Sequence, residues 1–227
     1  MTEGEERKQR SIEVLKKYNI PYLETLPIIE DSEHVTLRSV SEIAKRTAVL
    51  LLIAGYACDV LDNKNLSESR EFFYKKFMQY NVFKCLTPKE KDFFDCEYPA
   101  KKDAISMSWC YESAYALLWT MSMTNSMYFP DKTCSEGSVS FLLAKCVSIT
   151  DFTDRASMRP VKEILDECDL IYRYHWAIVD AWLHTRKFPG GLNGDVVFER
   201  HKALNWVLNY GVVGDKPAEW DDVTTDT

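Results

Sequence analysis

The sequence is poor in the patterns that most often identify a function. Only 8 of its 227 residues are glycine and 8 are proline, which leaves little room for long flexible linkers. The longest low-charge stretch is residues 113–130. It ends in "SMTNSMYFP", so it predicts a buried helix and its exit loop rather than a membrane span. The N-terminal "MTEGEERKQRSIEVLKKY" is charged throughout and lacks the apolar centre of a signal peptide. We therefore expect a soluble, cytoplasmic protein without membrane contact.

Basic blocks and paired cysteines are also missing. The chain has 28 lysines and arginines against 35 acidic residues, and its net charge of −7 and lack of a basic stripe argue against nucleic-acid binding. The seven cysteines are odd in number and form no CxxC pair, which favours reduced, buried thiols over disulfides or zinc. No HExxH motif and no nucleophile elbow occurs. We therefore expect neither a cofactor nor a metal ion.

Helical patterns make up most of what is present. Hydrophobic residues are 46% of the chain and charged residues 28%, as in ordinary globular proteins. Ser39 with Glu42, and Thr87 with Glu90, have the spacing of capping boxes that begin helices. The patterns predict an all-α fold, a single domain over residues 1–227 with about seven to eight helices around two or three buried central ones.

Three segments outside the long helices carry separate expectations. Residues 1–6 are expected to fray, and residues 20–30 could hold a short strand. The acidic tail, residues 215–227, is expected to dock, because a free tail would leave Trp220 in solvent. "GGLNGD" predicts a helix-ending turn and an N-cap rather than a phosphate loop, because it lacks the GK[ST] ending.

Four segments resemble one known family. They are "IPYLETLPIIEDSEHVTLRSVSEIAKR", "WCYESAYALLWTMSM", "EILDECDLIYRYHW" and "ERHKALNW", of which the last two are the most specific. In this order they resemble the bacterial family called domain of unknown function 4272, over essentially the whole chain from about residue 7. The resemblance implies a common fold and carries no activity to this chain.

The helix predicted between residues 160 and 186 has a charged side. Asp166, Asp169, Arg173 and Asp180 fall along it, and the spacing of Asp169 and Arg173 is favourable for an ion pair. One guanidinium could lie near both Asp166 and Asp169. We favour a salt-bridge stripe, and the alternative is an acidic cleft in which Arg173 binds an anionic group.

Two histidines are further candidates, one on the same helix as this stripe and one in the last helix. His175 belongs to the apolar side of its helix and is expected to be a core histidine, hydrogen-bonded through one ring nitrogen. In "ERHKALNW", His201 and Asn205 share a face beside Glu199 and Arg200. This set suits polar recognition or proton transfer, and it suits an interhelical network equally well.

Glu112 is the only charged residue between Asp103 and Asp131, in a helix that is otherwise apolar all round. A buried carboxylate needs a partner or a proton. We expect the partner to come from Arg46, Arg200 or Arg173, in a structural salt bridge. The alternative is a general acid or base with a raised pKa.

These observations leave several functions open. We favour a module that binds a protein partner or a small ligand, with an enzyme of hydrolytic or acid–base chemistry, or a purely structural network, as alternatives. The catalytic candidates are Glu112, Asp166, Asp169, Arg173 and His201. The binding candidates are Arg46, His175, Glu199, Arg200, Asn205, Trp220, Asp221 and Asp222, and the two last acids are expected to return to basic residues of the final helix.

Overall fold

A computed structural model describes residues 1–213 and 216–227, and within these residues the fold is all-α, as predicted. The described chain forms ten α-helices, more than the seven or eight expected, and no helix in it has both the length and the apolar character needed to cross a membrane. The helices are α1 (Glu3–Lys17), α2 (Val40–Leu61), α3 (Leu66–Gln79), α4 (Pro88–Asp95), α5 (Lys101–Ser108), α6 (Cys110–Thr120), α7 (Glu136–Ala144), α8 (Ile149–Asp154), α9 (Val161–Leu183) and α10 (Gly194–Val207).

The remaining regular structure is short. Two antiparallel strands, β1 (Val212–Val213) and β2 (Lys216–Pro217), pair with each other after α10. Three 3₁₀ turns cover Phe83–Cys85, Pro189–Gly191 and Trp220–Asp222.

The chain divides into two compact units. The first unit contains residues 1–38, 128–133 and 159–227, and the second contains residues 39–127 and 134–158. The single domain over residues 1–227 stays a prediction.

Helix α2 is the centre of the second unit, as its apolar sequence predicts. Ser39 begins it with the predicted capping box: its hydroxyl accepts the N–H of Glu42 at 3.3 Å, and the Glu42 carboxylate accepts the N–H of Ser39 at 2.9 Å. Helices α3, α5, α6 and α8 pack against it. Gly55 allows α3 to approach closely, since a Cβ there would lie 2.9 Å from the ring of Phe73.

The predicted number of helices was too low for two reasons. The apolar helix predicted around Glu112 is α6, and the segment before it forms a separate helix, α5, because Trp109 interrupts the hydrogen-bond ladder while keeping φ and ψ near helical values. Helix α8 was not predicted at all, because its single buried apolar residue, Phe152, gives no periodic pattern.

In the first unit, α9 packs against both α1 and α10. Helix α1 begins at Glu3, so residues 3–6 are helical rather than frayed. The reason is a capping box that the sequence analysis missed: the hydroxyl of Thr2 accepts the N–H of Glu5 at 3.2 Å, and the Glu5 carboxylate accepts the N–H of Thr2 at 2.8 Å.

The connection after α1, residues 20–30, forms no strand. In a strand, the carbonyl groups would accept hydrogen bonds from the backbone of a neighbouring strand. Here side chains of α1 donate hydrogen bonds to several of these carbonyl groups instead. Lys8 donates to the carbonyl of Leu26 at 2.9 Å, and Arg7 donates to the carbonyls of Ile29 and Glu30 at 3.0 and 3.1 Å. These bonds satisfy the polar backbone of an irregular segment.

Trp220 of the C-terminal segment packs against α10. Trp220 is buried, its ring meets that of Trp206 edge to face at 5.5 Å, and the ammonium of Lys202 lies 4.9 Å from its ring. The predicted start of the tail, residue 215, lies outside the described residues. Asp221 is half-buried and Asp222 is exposed, and their return to basic residues of α10 stays a prediction.

Candidate functional site

The first unit contains a cleft of about 390 Å³, within the size range of small-molecule sites. Its walls come from the connection after α1, from α9, from the end of α10 and from the C-terminal segment. Both apolar and polar residues line it: Pro27, Ile28, Ile29, Val35, Leu208 and Gly211, and Glu30, Tyr172, His201, Asn205, Asn209, Tyr210 and Asp226.

His201, which lines the cleft, belongs to a buried pair of histidines. Nδ1 of His201 lies 2.9 Å from Nδ1 of His175, and the two residues are 2% and 8% exposed. One ring must donate and the other accept, so at least one imidazole is neutral. The bond confirms the prediction for His175. It leaves Nε2 of His201, which no described residue bonds, as the nitrogen through which this lining residue can meet a ligand.

The surroundings keep both histidines neutral at physiological pH. Burial lowers the pKa of His175 to about 4. Burial and the neighbouring His175 lower the pKa of His201 to about 3. Tyr172, whose ring centre lies 6.0 Å from that of His201, has a pKa raised above its ordinary value, chiefly by burial. It is therefore a protonated phenol that can donate or accept a hydrogen bond.

Two asparagines of α10 and its end hold the walls of the cleft together. Asn205 donates its Nδ2 to the carbonyl of Thr224 at 2.9 Å, which ties the C-terminal segment to α10. Asn209 donates to the carbonyl of Thr36 at 2.8 Å and so ties the connection that precedes α2. Because both amide nitrogens are used in this way, each side chain keeps its Oδ1 as a hydrogen-bond acceptor.

The charge of the cleft is negative. Glu30 and Asp226, which lie far apart in the sequence, supply two exposed carboxylates. No lysine or arginine is found among the described lining residues. Acceptor atoms and negative charge therefore dominate its polar surface.

An ion pair supports the cleft from behind. Arg173 binds Asp169 through two hydrogen bonds of 2.8 Å, and both side chains are fully buried. Arg173 also donates to the carbonyl of Pro27, a lining residue, at 3.3 Å. Its Nη1 has no hydrogen-bond partner among the described residues. Since its charge is balanced by Asp169, Arg173 positions the connection rather than attracting an anion.

The sequence suggested that the Arg173 guanidinium could lie near both Asp169 and Asp166, but Asp166 pairs with other residues. It is half-exposed and pairs with two residues of α1, Arg10 at 2.6 Å and Arg7 at 3.4 Å. Helix α1 packs on this side of α9 and supplies competing arginines, which a pattern within one helix cannot reveal. At the other end of α9, Asp180 pairs with the exposed His184 at 3.2 Å.

Other predicted site residues lie outside the cleft. In the second unit, the buried Glu112 accepts the backbone N–H of Cys134, and the buried Arg46 pairs with Glu90. In the first unit, the buried Arg200 donates to the carbonyl of Tyr128 at 2.7 Å, and Glu199 is half-buried. Whether Arg200 balances Glu112 stays a prediction.

Sequence reasoning passed over one unusual carboxylate on α9. Burial raises the pKa of Glu167 to about 7, the nearby Arg200 lowers it in part, and Asp166 adds to the increase. A helical wheel could have found Glu167, because it shares a face with the buried Ile171 and Tyr174, four and seven residues later.

The described residues contain no evident metal site. Within residues 1–213 and 216–227, no three histidine, cysteine, aspartate or glutamate side chains come together as a metal site would require. The expectation of no metal or other cofactor remains an expectation.

Taken together, the fold and the site define an all-helical protein with an acidic, acceptor-rich cleft beside a neutral histidine pair. The chain belongs to the family described as domain of unknown function (DUF4272), whose model matches residues 7–223. No curated protein and no solved structure matches it.

Proposed function

We propose that this protein is a binding module that takes a small ligand into the cleft of the first unit. The observation that carries the proposal is that His201 and Asn205, both buried, line the cleft with polar atoms that no described residue bonds. Groups of this kind, at the wall of a cleft, can bond a ligand in place of water. A ligand with complementary groups would satisfy them, while the apolar walls would bury its remaining surface.

The enzyme alternative has less support from the side chains that were its candidates. Asp169 and Arg173 neutralise each other, and Asp166 is paired with arginines of α1. Glu112 belongs to the second unit and is not a lining residue of the cleft. What the cleft offers is a set of hydrogen-bonding groups of the kind that recognition needs.

We place this module in the cytoplasm as part of the same proposal. The structure places no disulfide among the cysteines of the described residues, and Cys146 and Cys168 are buried in the manner of small hydrophobic residues. Free thiols are usual in a reducing compartment.

The test is a fragment screen by saturation-transfer NMR on three proteins: the parent, Val35→Trp and Leu23→Trp. Val35 is half-buried and lines the cleft, so an indole there would fill part of its volume. Leu23 lies, like Val35, between α1 and α2; it is 40% exposed and is not a lining residue, so Leu23→Trp is the matched control.

We expect fragments that bind the parent and Leu23→Trp but not Val35→Trp, with all three proteins unfolding at similar temperatures. If every fragment that binds the parent also binds Val35→Trp, the cleft is not the binding site. A screen of charged and neutral fragments that finds no binder to the parent would contradict the proposal as well.

A further inference from the structure

We infer that the ligand of the cleft is an alkylammonium group, a primary amine carried on an apolar stem. The inference rests on the proposed function and gives its ligand a chemical class. Its basis is the combination in one cleft of two carboxylates, of side-chain acceptor atoms that no described residue bonds and of an apolar wall, with no basic residue among the described lining residues.

The charge of the cleft selects a cation. Glu30 and Asp226 both line it, and a bound ammonium would form a charge-assisted hydrogen bond with either. An anionic ligand would meet the same two carboxylates. Arg173, which lies behind the lining residues, does not neutralise these carboxylates, because its charge is balanced by Asp169 through two hydrogen bonds of 2.8 Å.

Two carboxylates alone would not define a site, and His201 is the second, independent indication. It is 2% exposed, it lines the cleft, and Nε2 has no described partner. When Nδ1–H of His201 donates to Nδ1 of His175, Nε2 of His201 carries a lone pair and can accept a hydrogen bond from a ligand. The reverse arrangement turns Nε2 into a donor, so an ammonium ligand selects the first tautomer.

The remaining walls suit the stem of such a ligand. Ile28, Ile29, Val35 and Leu208 supply apolar surface, and Ile28 is 45% exposed. Covering this surface with methylene groups would be favourable by the hydrophobic effect. The Oδ1 atoms of Asn205 and Asn209 give further acceptors for the three N–H groups of an ammonium.

The alkylammonium group has two sources, a free aliphatic amine and the side chain of a lysine in a peptide. Isothermal titration calorimetry with n-pentylamine and with Nα-acetyl-lysine N-methylamide distinguishes the two sources. Both probes carry a free primary amine, and only the second carries a peptide backbone. Tighter binding of one amine probe assigns the source, while the comparison with probes that lack the amine tests the class.

The decisive comparison uses probes of equal length. We expect n-pentylamine to bind at least about tenfold more tightly than n-pentanol or n-valerate, and to weaken as salt is added. Asp226→Asn should weaken the binding of n-pentylamine about threefold, as for an ion pair with an exposed carboxylate. Asp222→Asn is the control, since Asp222 is exposed on the same segment and does not line the cleft.

The outcomes separate this inference from the proposed function. If n-valerate or n-pentanol binds the parent as tightly as n-pentylamine, and Val35→Trp abolishes that binding, the cleft is a ligand site but the amine class is wrong. If Asp226→Asn and Asp222→Asn weaken n-pentylamine equally, the ammonium is not bound in the cleft. If no probe and no fragment binds, the proposed function itself fails.

Discussion

Acidification should destabilise this protein through the histidine pair. An unfolded histidine titrates near pH 6.5, whereas in the fold the pKa values are lowered to about 4 for His175 and about 3 for His201. Between pH 6.5 and about 4 the unfolded chain therefore binds more protons than the folded chain. In that window the stability contributed by the neutral pair is lost as the pH falls.

The magnitude follows from the unfolded state. At pH 5.0 both folded rings are still neutral, so each histidine costs about 2 kcal/mol relative to pH 7.5, and the pair about 4 kcal/mol. Glu167 acts in the opposite direction. Its pKa is raised to about 7 in the fold, so acidification protonates the folded chain first and adds about 2 kcal/mol of stability.

The assay must remove this opposing contribution. We would measure the free energy of unfolding in urea at pH 7.5 and 5.0 for the parent, for His201→Asn and for the double variant His175→Asn/His201→Asn. Because Glu167 is present in all three proteins, its contribution cancels in the differences. The parent should lose about 2 kcal/mol more than His201→Asn and about 4 kcal/mol more than the double variant. Equal losses in all three proteins would refute the neutral histidine pair.

Two further predictions concern stability alone. Asp169→Asn should lower the free energy of unfolding in urea by about 3–5 kcal/mol, because it strands the fully buried Arg173, while Asp169→Leu/Arg173→Met should recover much of that loss; a single-variant effect below about 1 kcal/mol would contradict the buried pair. Trp220→Ala should cost about 3 kcal/mol, since it removes the edge-to-face contact with Trp206 and opens a cavity. An unchanged urea midpoint for Trp220→Ala would show that the C-terminal segment does not dock in solution.

Local sequence signals predicted the helices well. The capping boxes at Ser39 and Thr87 begin α2 and α4 where expected, and the apolar surface of α2 places it at the centre of the second unit. The Asp169–Arg173 spacing likewise gave the correct ion pair. Each of these features depends on residues within one or two turns of a helix, so they can be read from the sequence alone.

The cleft could not be predicted in the same way. Glu30 and Asp226 come from segments without regular structure at opposite ends of the chain, and no periodic pattern brings them together. The sequence did indicate His201 and Asn205 as polar neighbours, but their contacts with His175 and Thr224 depend on packing between α10 and other elements. Burial, which decides the pKa values of the histidines, also depends on that packing.

The most direct test of the cleft as an amine-binding site is the side-chain ¹⁵N spectrum of the histidines, recorded with and without n-pentylamine. We predict that in the amine-bound protein His201 carries its proton on Nδ1, so that its Nε2 gives the signal of an unprotonated acceptor, while His175 carries its proton on Nε2. The exposed His34 and His184 serve as internal controls and should not change. A protonated Nε2 of His201 at an amine concentration that saturates the protein would contradict the account.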